Sequence, residues 1–292
     1  MKNRSFPSTI DQTLIEKGDS MRESMAKVKR LVVKIGTSSL IYPNGKVNLS
    51  GIDELAYVLT DLHNRGLEVI LVTSGAIGVG LNKLQLLERP QKIPEQQAVA
   101  AVGQTELMTI YTQRFEAYSQ KTAQVLLTRD IVEFPKSRNN VVNTLNQLLA
   151  MDILPIINEN DTVAVDELDH LTKFGDNDQL SAIVTELVAA DLLIMLSDIN
   201  GFYSDDPSKN SQAILYSHVS KITDELLKEA GGTSSAFGTG GMRSKLKAAQ
   251  RVLDTSSKMV LANGKRPKII FDILAGKEIG TLFEEMEEND ND

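Results

Sequence analysis

The groups in this sequence able to do chemistry are two lysines, a run of carboxylates and amides between them, and three loops rich in glycine and hydroxyls. The run spans residues 158–178, opening with Asn158-Glu-Asn-Asp-Thr-Val and closing with Lys173-Phe-Gly-Asp-Asn-Asp178 around an insert at 166–172. Apolar stretches at 153–157 and 180–188 flank it. Polar density directly after a buried strand and before a helix matches the place where parallel α/β sheets bind ligands, beyond the carboxyl ends of the strands. Asp176-Asn-Asp178 has the form of an EF-hand opening, but Leu180 and Ala182 stand where that loop requires ligands and glycine, so it is no calcium loop. On these residues alone, a polar ligand site and a solvated acidic loop both stay open.

Lys34 interrupts the apolar run Leu31-Val-Val-Lys-Ile35 and precedes Gly36-Thr-Ser-Ser39. Its ammonium therefore emerges at the carboxyl end of a buried strand, beside a loop suited to cradle phosphate; the plainer alternative is a lysine snorkelling from a strand edge. A second strand, 68–72, runs into Thr73-Ser-Gly-Ala-Ile-Gly-Val-Gly80, where small residues let backbone approach a ligand and a following helix offers its first amides to an anion. Ser74 reads equally as turn punctuation. The third loop, Gly238-Thr-Gly-Gly-Met-Arg-Ser-Lys245, opens a helix and places a cation one turn inside it, a geometry for triphosphate oxygens or an ordinary interhelical loop. No Walker A spacing occurs, and no Gly-x-Gly-x-x-Gly follows a strand.

The elements that must carry these groups alternate. Strands are predicted at 31–35, 68–72, 123–127, 154–157 and 192–196, with two short ones near 258–261 and 268–273. Helices are predicted from a cap at Ser50 to a stop at Gly66, then over 95–119, 139–151, 178–189, 223–229 and from the third loop to Leu253. Such alternation predicts an α/β fold, a three-layer αβα sandwich around a mainly parallel open sheet with right-handed crossovers. Residues 1–27 are expected to be a flexible extension that contributes nothing to the fold, 28–283 one domain, and 284–292 a solvated acidic tail.

At 292 residues and 41% hydrophobic content the chain can bury a substantial core. Its 31 basic against 39 acidic residues leave a formal charge of -8 with no basic cluster, so nucleic acid is not an expected partner. There is no apolar window long enough to span a bilayer and no signal-peptide core, which predicts a cytoplasmic protein. The absence of cysteine fits that compartment, and three scattered histidines form no metal-binding pattern.

Val32-Val-Lys-Ile-Gly-Thr-Ser, Val72-Thr-Ser-Gly-Ala-Ile, Gln97-Ala-Val-Ala-Ala-Val-Gly-Gln104, Pro155-Ile-Ile-Asn-Glu-Asn-Asp, Phe174-Gly-Asp-Asn-Asp and Gly238-Thr-Gly-Gly-Met-Arg-Ser-Lys245 together resemble the amino acid kinase superfamily, and within it the glutamate 5-kinases. The likeness covers about 31–283. It implies ATP-dependent phosphorylation of the γ-carboxylate of L-glutamate, the first step of proline biosynthesis. By position, Lys34 and Lys245 would neutralise charge on the transferring phosphoryl group and Asp178 would hold both lysines. Ser74, Gly75, Ala76, Asp161 and Asn177 would bind glutamate, with Gly75 and Ala76 lending amides near the reacting phosphate. Lys34, Ser197, Asp198, Thr239, Gly240, Gly241, Met242, Arg243, Ser244 and Lys245 would line the ATP site. Mg2+ would arrive with ATP, with no protein side chain assigned to it. Feedback inhibition by proline and a homo-oligomer, dimer or tetramer, are further family expectations. Many relatives carry a C-terminal PUA domain, which is not expected here because a short tail follows Phe283. Ser244 replaces the threonine common in the family before the last lysine and keeps its hydroxyl. The alternative reading is a non-catalytic amino-acid or nucleotide sensor on the same fold, which loss of Lys34, Lys245 or Asp178 would have favoured. A glutamate carboxylate, with an ordinary pKa of about 4.3, is already an ionised nucleophile at neutral pH, so the site has to align groups and stabilise charge rather than supply a base.

Overall fold

The computed structural model describes residues 21–128, 134–163, 177–229 and 241–285. Its strands are β1 (Arg30–Ile35), β2 (Glu68–Val72), β3 (Thr122–Leu127), β4 (Leu154–Glu159), β5 (Leu192–Ser197), β6 (His218–Val219), β7 (Lys258–Asn263) and β8 (Thr281–Phe283). They form one sheet in the order β3-β4-β2-β1-β5-β7-β8-β6. Neighbours pair in parallel except β7 with β8. The inner strands are continuous apolar runs because helices cover both faces, and parallel strands of that kind have no side left for water.

Alternation along β1 sorts the core. Val32 faces the layer made by α5 (Pro135–Ala150), α6 (Asn177–Leu187) and α8 (Met242–Leu253), meeting Leu145, Leu180 and Leu246. The short α7 (Asp224–Glu229) packs beside α8 in the same layer. Leu31, Val33 and Ile35 face the opposite layer of α2 (Leu49–Asn64), α4 (Ile93–Glu116) and α9 (Ile269–Leu274), through Leu55, Leu107 and Ile270. The fold is therefore the expected αβα sandwich. Each fully buried aliphatic side chain contributes about 1.5–3 kcal/mol of transfer free energy, so these two faces hold the sheet.

The sheet order decides where chemistry can occur. β1 is central, flanked by β2 on one side and β5 on the other, and the chain first builds outward through β2 and later crosses to β5. The reversal creates a switch point at the carboxyl ends of these strands, the place where open α/β sheets bind ligands.

Two short helices follow the strand ends: α1 (Thr37–Leu40) after β1, where a loop was expected, and α3 (Ala76–Leu84) after β2. α3 crosses α4 at glycine. A Cβ on Gly103 would overlap the Ala76 carbonyl oxygen and sit 2.5 Å from the Gly80 nitrogen. Gly103→Ala is therefore expected to push α3 off α4 and cost about 3 kcal/mol by overpacking, read as a lower urea midpoint at unchanged m-value. A variant as stable as the parent would show that the crossing yields without strain.

Several sequence expectations are corrected. Residues 268–273 form helix α9 rather than a strand: Ile270 and Ile273 are both buried at helical spacing, a pattern that a short apolar run does not distinguish from a strand. The strand that pairs with β7 there is β8, which runs antiparallel to it and is itself flanked by β6 at the edge. Asn48, not Ser50, caps α2, its side chain accepting the Gly51 N–H at 3.0 Å. The flexible extension does not reach Lys27. Met21–Lys27 form a 3-10 helix in which Met25 joins the core and Arg22 donates to the carbonyls of Ser217 at 3.0 Å and Ile279 at 2.9 Å. Residues 1–20 lie outside the described residues. The acidic tail does not begin at Glu284 either, because its carboxylate pairs with Lys258 and its N–H donates to the Val219 carbonyl.

Candidate active site

At the first turn of α6, Asp178 is 1% exposed and both its oxygens are taken. Lys34 Nζ, from the end of β1, donates to Oδ1, and Lys245 Nζ, from the first turn of α8, donates to Oδ2 at 3.1 Å. Each lysine is 7% exposed. Burial pushes the Asp178 carboxyl up, but the two ammonium charges and their hydrogen bonds outweigh it and hold the group below the ordinary carboxylate range. Asp178 is therefore a buried anion shared by two cations. The trio carries one more positive than negative charge, so the cluster suits an anionic ligand.

Helix ends add to this field. α3 starts after Gly75, whose φ of 93° is left-handed and open to glycine at low cost, and α8 starts after Gly241. Among the described residues neither N-terminus has a side-chain cap, and uncapped helix starts of this kind suit anionic oxygens. Gln179 Nε2 donates to the Ser244 carbonyl at 2.9 Å, tying the first turn of α6 to that of α8 and thereby Asp178 to Lys245.

On the β2 and β4 side hydroxyls and amides form the network, with the carboxylate of Asp161 beside them. Ser74 Oγ donates to the Ile35 carbonyl at 3.0 Å, which locks the end of β2 to the end of β1. Asn177 Nδ2 donates to the Thr73 carbonyl at 2.6 Å and to Asn158 Oδ1 at 2.9 Å. Asn158 Nδ2 in turn donates to Gln104 Oε1 at 2.8 Å, and Thr73 Oγ1 shares a 2.8 Å hydrogen bond with Tyr111. Burial raises the Tyr111 phenol well above its usual value, so it stays neutral. Asp161 lies half-buried in the turn after β4.

On the β5 and β7 side, Ser197 Oγ donates to Asp198 Oδ1 at 3.0 Å, and the Gly264 N–H donates to the Ser197 carbonyl at 2.7 Å. Asp198 and Arg243 are exposed, and Met242 is half-buried at the start of α8. Thr239 and Gly240, with the 166–172 insert, lie outside the described residues. Among the described residues no group of three His, Cys, Asp or Glu side chains is placed to hold a metal ion.

The predicted residues thus fall into a row set by the sheet order. Asp161 follows β4, Ser74 follows β2, Lys34 ends β1 and Ser197 ends β5, a span of three interstrand spacings or roughly 14 Å. The Lys34, Asp178 and Lys245 trio stands in the middle. Sequence reasoning missed Gln104, Tyr111, Thr73 and Asn158 as members of the site. Gln104 closes a quoted motif and Asn158 opens the polar run, but only folding shows that the two side chains meet.

Comparison with known proteins bears on this arrangement. The profile of the amino acid kinase family matches residues 29–263. A glutamate 5-kinase of Enterococcus faecalis is 67% identical over 263 residues, covering 90% of this chain and 97% of that protein. Glutamate 5-kinases of Lactiplantibacillus plantarum and Listeria monocytogenes are 60% and 61% identical, each over at least 88% of this chain and 95% of theirs. Among solved structures, a T. acidophilum isopentenyl phosphate kinase superposes with a TM-score of 0.61 at 18% identity, covering 88% of this chain and all of that one. UMP kinase from Bacillus anthracis gives 0.58 at 14%, covering 89% and 97%. At such low identity these two structures speak for the fold alone.

Proposed function

The chain belongs to the amino acid kinase family, and from that premise we propose that it is a glutamate 5-kinase, transferring the γ-phosphoryl group of ATP to the γ-carboxylate of L-glutamate to give γ-L-glutamyl 5-phosphate and ADP for proline biosynthesis. The observation that carries this reading is the pair of buried lysines held on one carboxylate at the centre of the row.

Glutamate lies on the β4 and β2 side, gripped by Asp161, Asn177 and Ser74, with the amides of Gly75 and Ala76 near the reacting phosphate. ATP lies across β5 and α8, against Ser197, Asp198 and the 239–245 loop, bringing its Mg2+ on the phosphates. A γ-carboxylate oxygen attacks the γ-phosphorus as the bond to the bridging oxygen breaks, and that electron pair leaves with ADP. The nucleophile arrives ionised, so no proton has to move. Lys34 and Lys245 sit where charge spreads over the oxygens in flight, and the uncapped ends of α3 and α8 add amides; placed in a dry site, such groups stabilise the transition state without reorganising. Proline, an amino acid of similar polar ends, is the proposed inhibitor at the glutamate side, and the enzyme is proposed to act in the cytoplasm as a homo-oligomer.

Purified protein with ATP, Mg2+, glutamate and hydroxylamine should yield γ-glutamyl hydroxamate, while aspartate, N-acetylglutamate and carbamate should not replace glutamate. No hydroxamate under conditions where a control kinase works would sink the reading. Asn177→Ala is expected to raise KM for glutamate about five- to thirtyfold and leave KM for ATP within about twofold, since a lost buried polar contact is worth about 1–2 kcal/mol. Equal losses for both substrates would remove Asn177 from the glutamate side.

A further inference from the structure

We propose that Gln104 is a positioning residue that, without touching substrate, fixes the direction in which the Asn177 amide faces the amino acid; the inference rests on reading Asn177 as a glutamate-binding residue. Gln104 belongs to α4 and is 8% exposed, separated from Asn177 by Asn158, itself 1% exposed. The three amides form a relay whose directions are forced by backbone groups. Asn177 lies 2.6 Å from the Thr73 carbonyl, which can only accept, so Asn177 presents its Nδ2 there. The same nitrogen lies 2.9 Å from Asn158, which must answer with Oδ1, and that oxygen also accepts the Glu159 N–H at 2.9 Å. Asn158 is left with Nδ2 toward Gln104 at 2.8 Å, and Gln104 must therefore present Oε1.

This order explains an otherwise costly feature. Gln104 Nε2 is buried with no hydrogen-bond partner among the described residues, and an amide nitrogen stripped of water without a partner is destabilising. Turning the amide over would give Asn158 a donor instead of an acceptor and break the relay. The stranded nitrogen is the consequence of keeping Oε1 on Asn158. At the other end, Asn177 spends its nitrogen on Thr73 and Asn158, so Oδ1 is the atom the relay does not use and the one it turns toward a ligand. An oxygen held in that direction accepts a hydrogen bond from the α-ammonium of glutamate. Tyr111, two helical turns beyond Gln104 on the same face of α4, steadies the other anchor by its bond to Thr73. α4 thus supports the amino-acid side of the site from behind.

The test compares Gln104→Met, nearly isosteric but without an acceptor, with Gln104→Glu, which keeps an acceptor oxygen in place. Gln104→Met should raise KM for glutamate about tenfold, with KM for ATP within about twofold and a smaller change in kcat. Gln104→Glu should stay within about threefold of wild type on all three. Adding Gln104→Met to Asn177→Ala should raise KM no further, since one residue acts through the other. If the methionine variant does not fold, Gln104→Ala carries the same comparison. An unchanged KM, or effects that multiply in the double variant, would overturn the relay. Calorimetric glutamate binding without ATP separates the two readings: a wild type that binds glutamate but does not phosphorylate it defeats the proposed function and leaves the relay to be judged on affinity, and a wild type that neither binds nor phosphorylates glutamate removes both.

Discussion

Lys245→Ala should lower kcat by about two to three orders of magnitude while changing KM for glutamate only a few-fold, the range observed when one preorganised transition-state donor is removed. The lysine is buried, its Nζ is held 3.1 Å from Asp178, and it opens a helix whose N-terminus is uncapped. A charge so placed gains most when negative charge spreads over the migrating phosphoryl oxygens, and less from binding the ground state. Lys245→Arg should recover only part of the rate, because a planar guanidinium does not reproduce a compact ammonium in a site closed around it. Steady-state kinetics with both substrates varied decide the matter. A variant with unchanged kcat would take Lys245 out of the chemistry.

Asp178→Asn should be still more damaging, since it alters stability as well as rate. The amide keeps the shape of the side chain but leaves two buried ammonium groups without their shared anion. Breaking a buried ion pair by removing one partner costs about 3–5 kcal/mol, measurable by urea unfolding. The rate should fall by about a hundredfold or more, because both lysines lose the group that aims them. A pH dependence accompanies the loss. The folded carboxyl titrates below its unfolded value, since Lys34 and Lys245 outweigh the opposing effect of burial. Its contribution is therefore complete above the unfolded pKa of about 3.9 and is lost as pH falls through the lower folded value. Wild-type stability should decline on acidification over that window, and the Asp178→Asn variant, already lacking the contribution, should show a flatter acid limb. Parallel acid limbs would mean that the pair adds nothing to folding.

Much of the fold could be read directly. β1, β2, β4 and β5 are apolar runs too short for helices and punctuated by glycine or polar residues, and the helices between them show a 3.6-residue period. The failures share a cause. The stretch 268–273 holds three isoleucines and a phenylalanine in a span that serves either period, and only its packing beneath β7 and against Met21–Lys27 makes it helical. Arg22 and Met25 lie in a polar, aperiodic segment, and their anchorage depends on carbonyls and core residues near the opposite end of the chain. Asn48 displaced Ser50 as the cap because a cap is chosen by where the backbone turns, a choice of two residues that composition does not resolve.

For the site, the sequence by itself determined the chemical repertoire: lysines at the end of a strand and the start of a helix, a carboxylate and amides between apolar segments, and glycines where backbone must approach a ligand. It also carried the family, because those groups recur in strings too specific to arise from periodicity. The family resemblance implied that Asp178 holds Lys34 and Lys245, 144 residues before and 67 after it, and the tertiary structure shows the two lysines sharing its two oxygens. Tertiary structure alone placed Gln104 behind Asn158, 54 residues away. The physical reason is the strand order. A parallel sheet that reverses direction at β1 gathers the carboxyl ends of four strands at one edge, and the distances between groups there follow from the pairing of strands rather than from their separation along the chain.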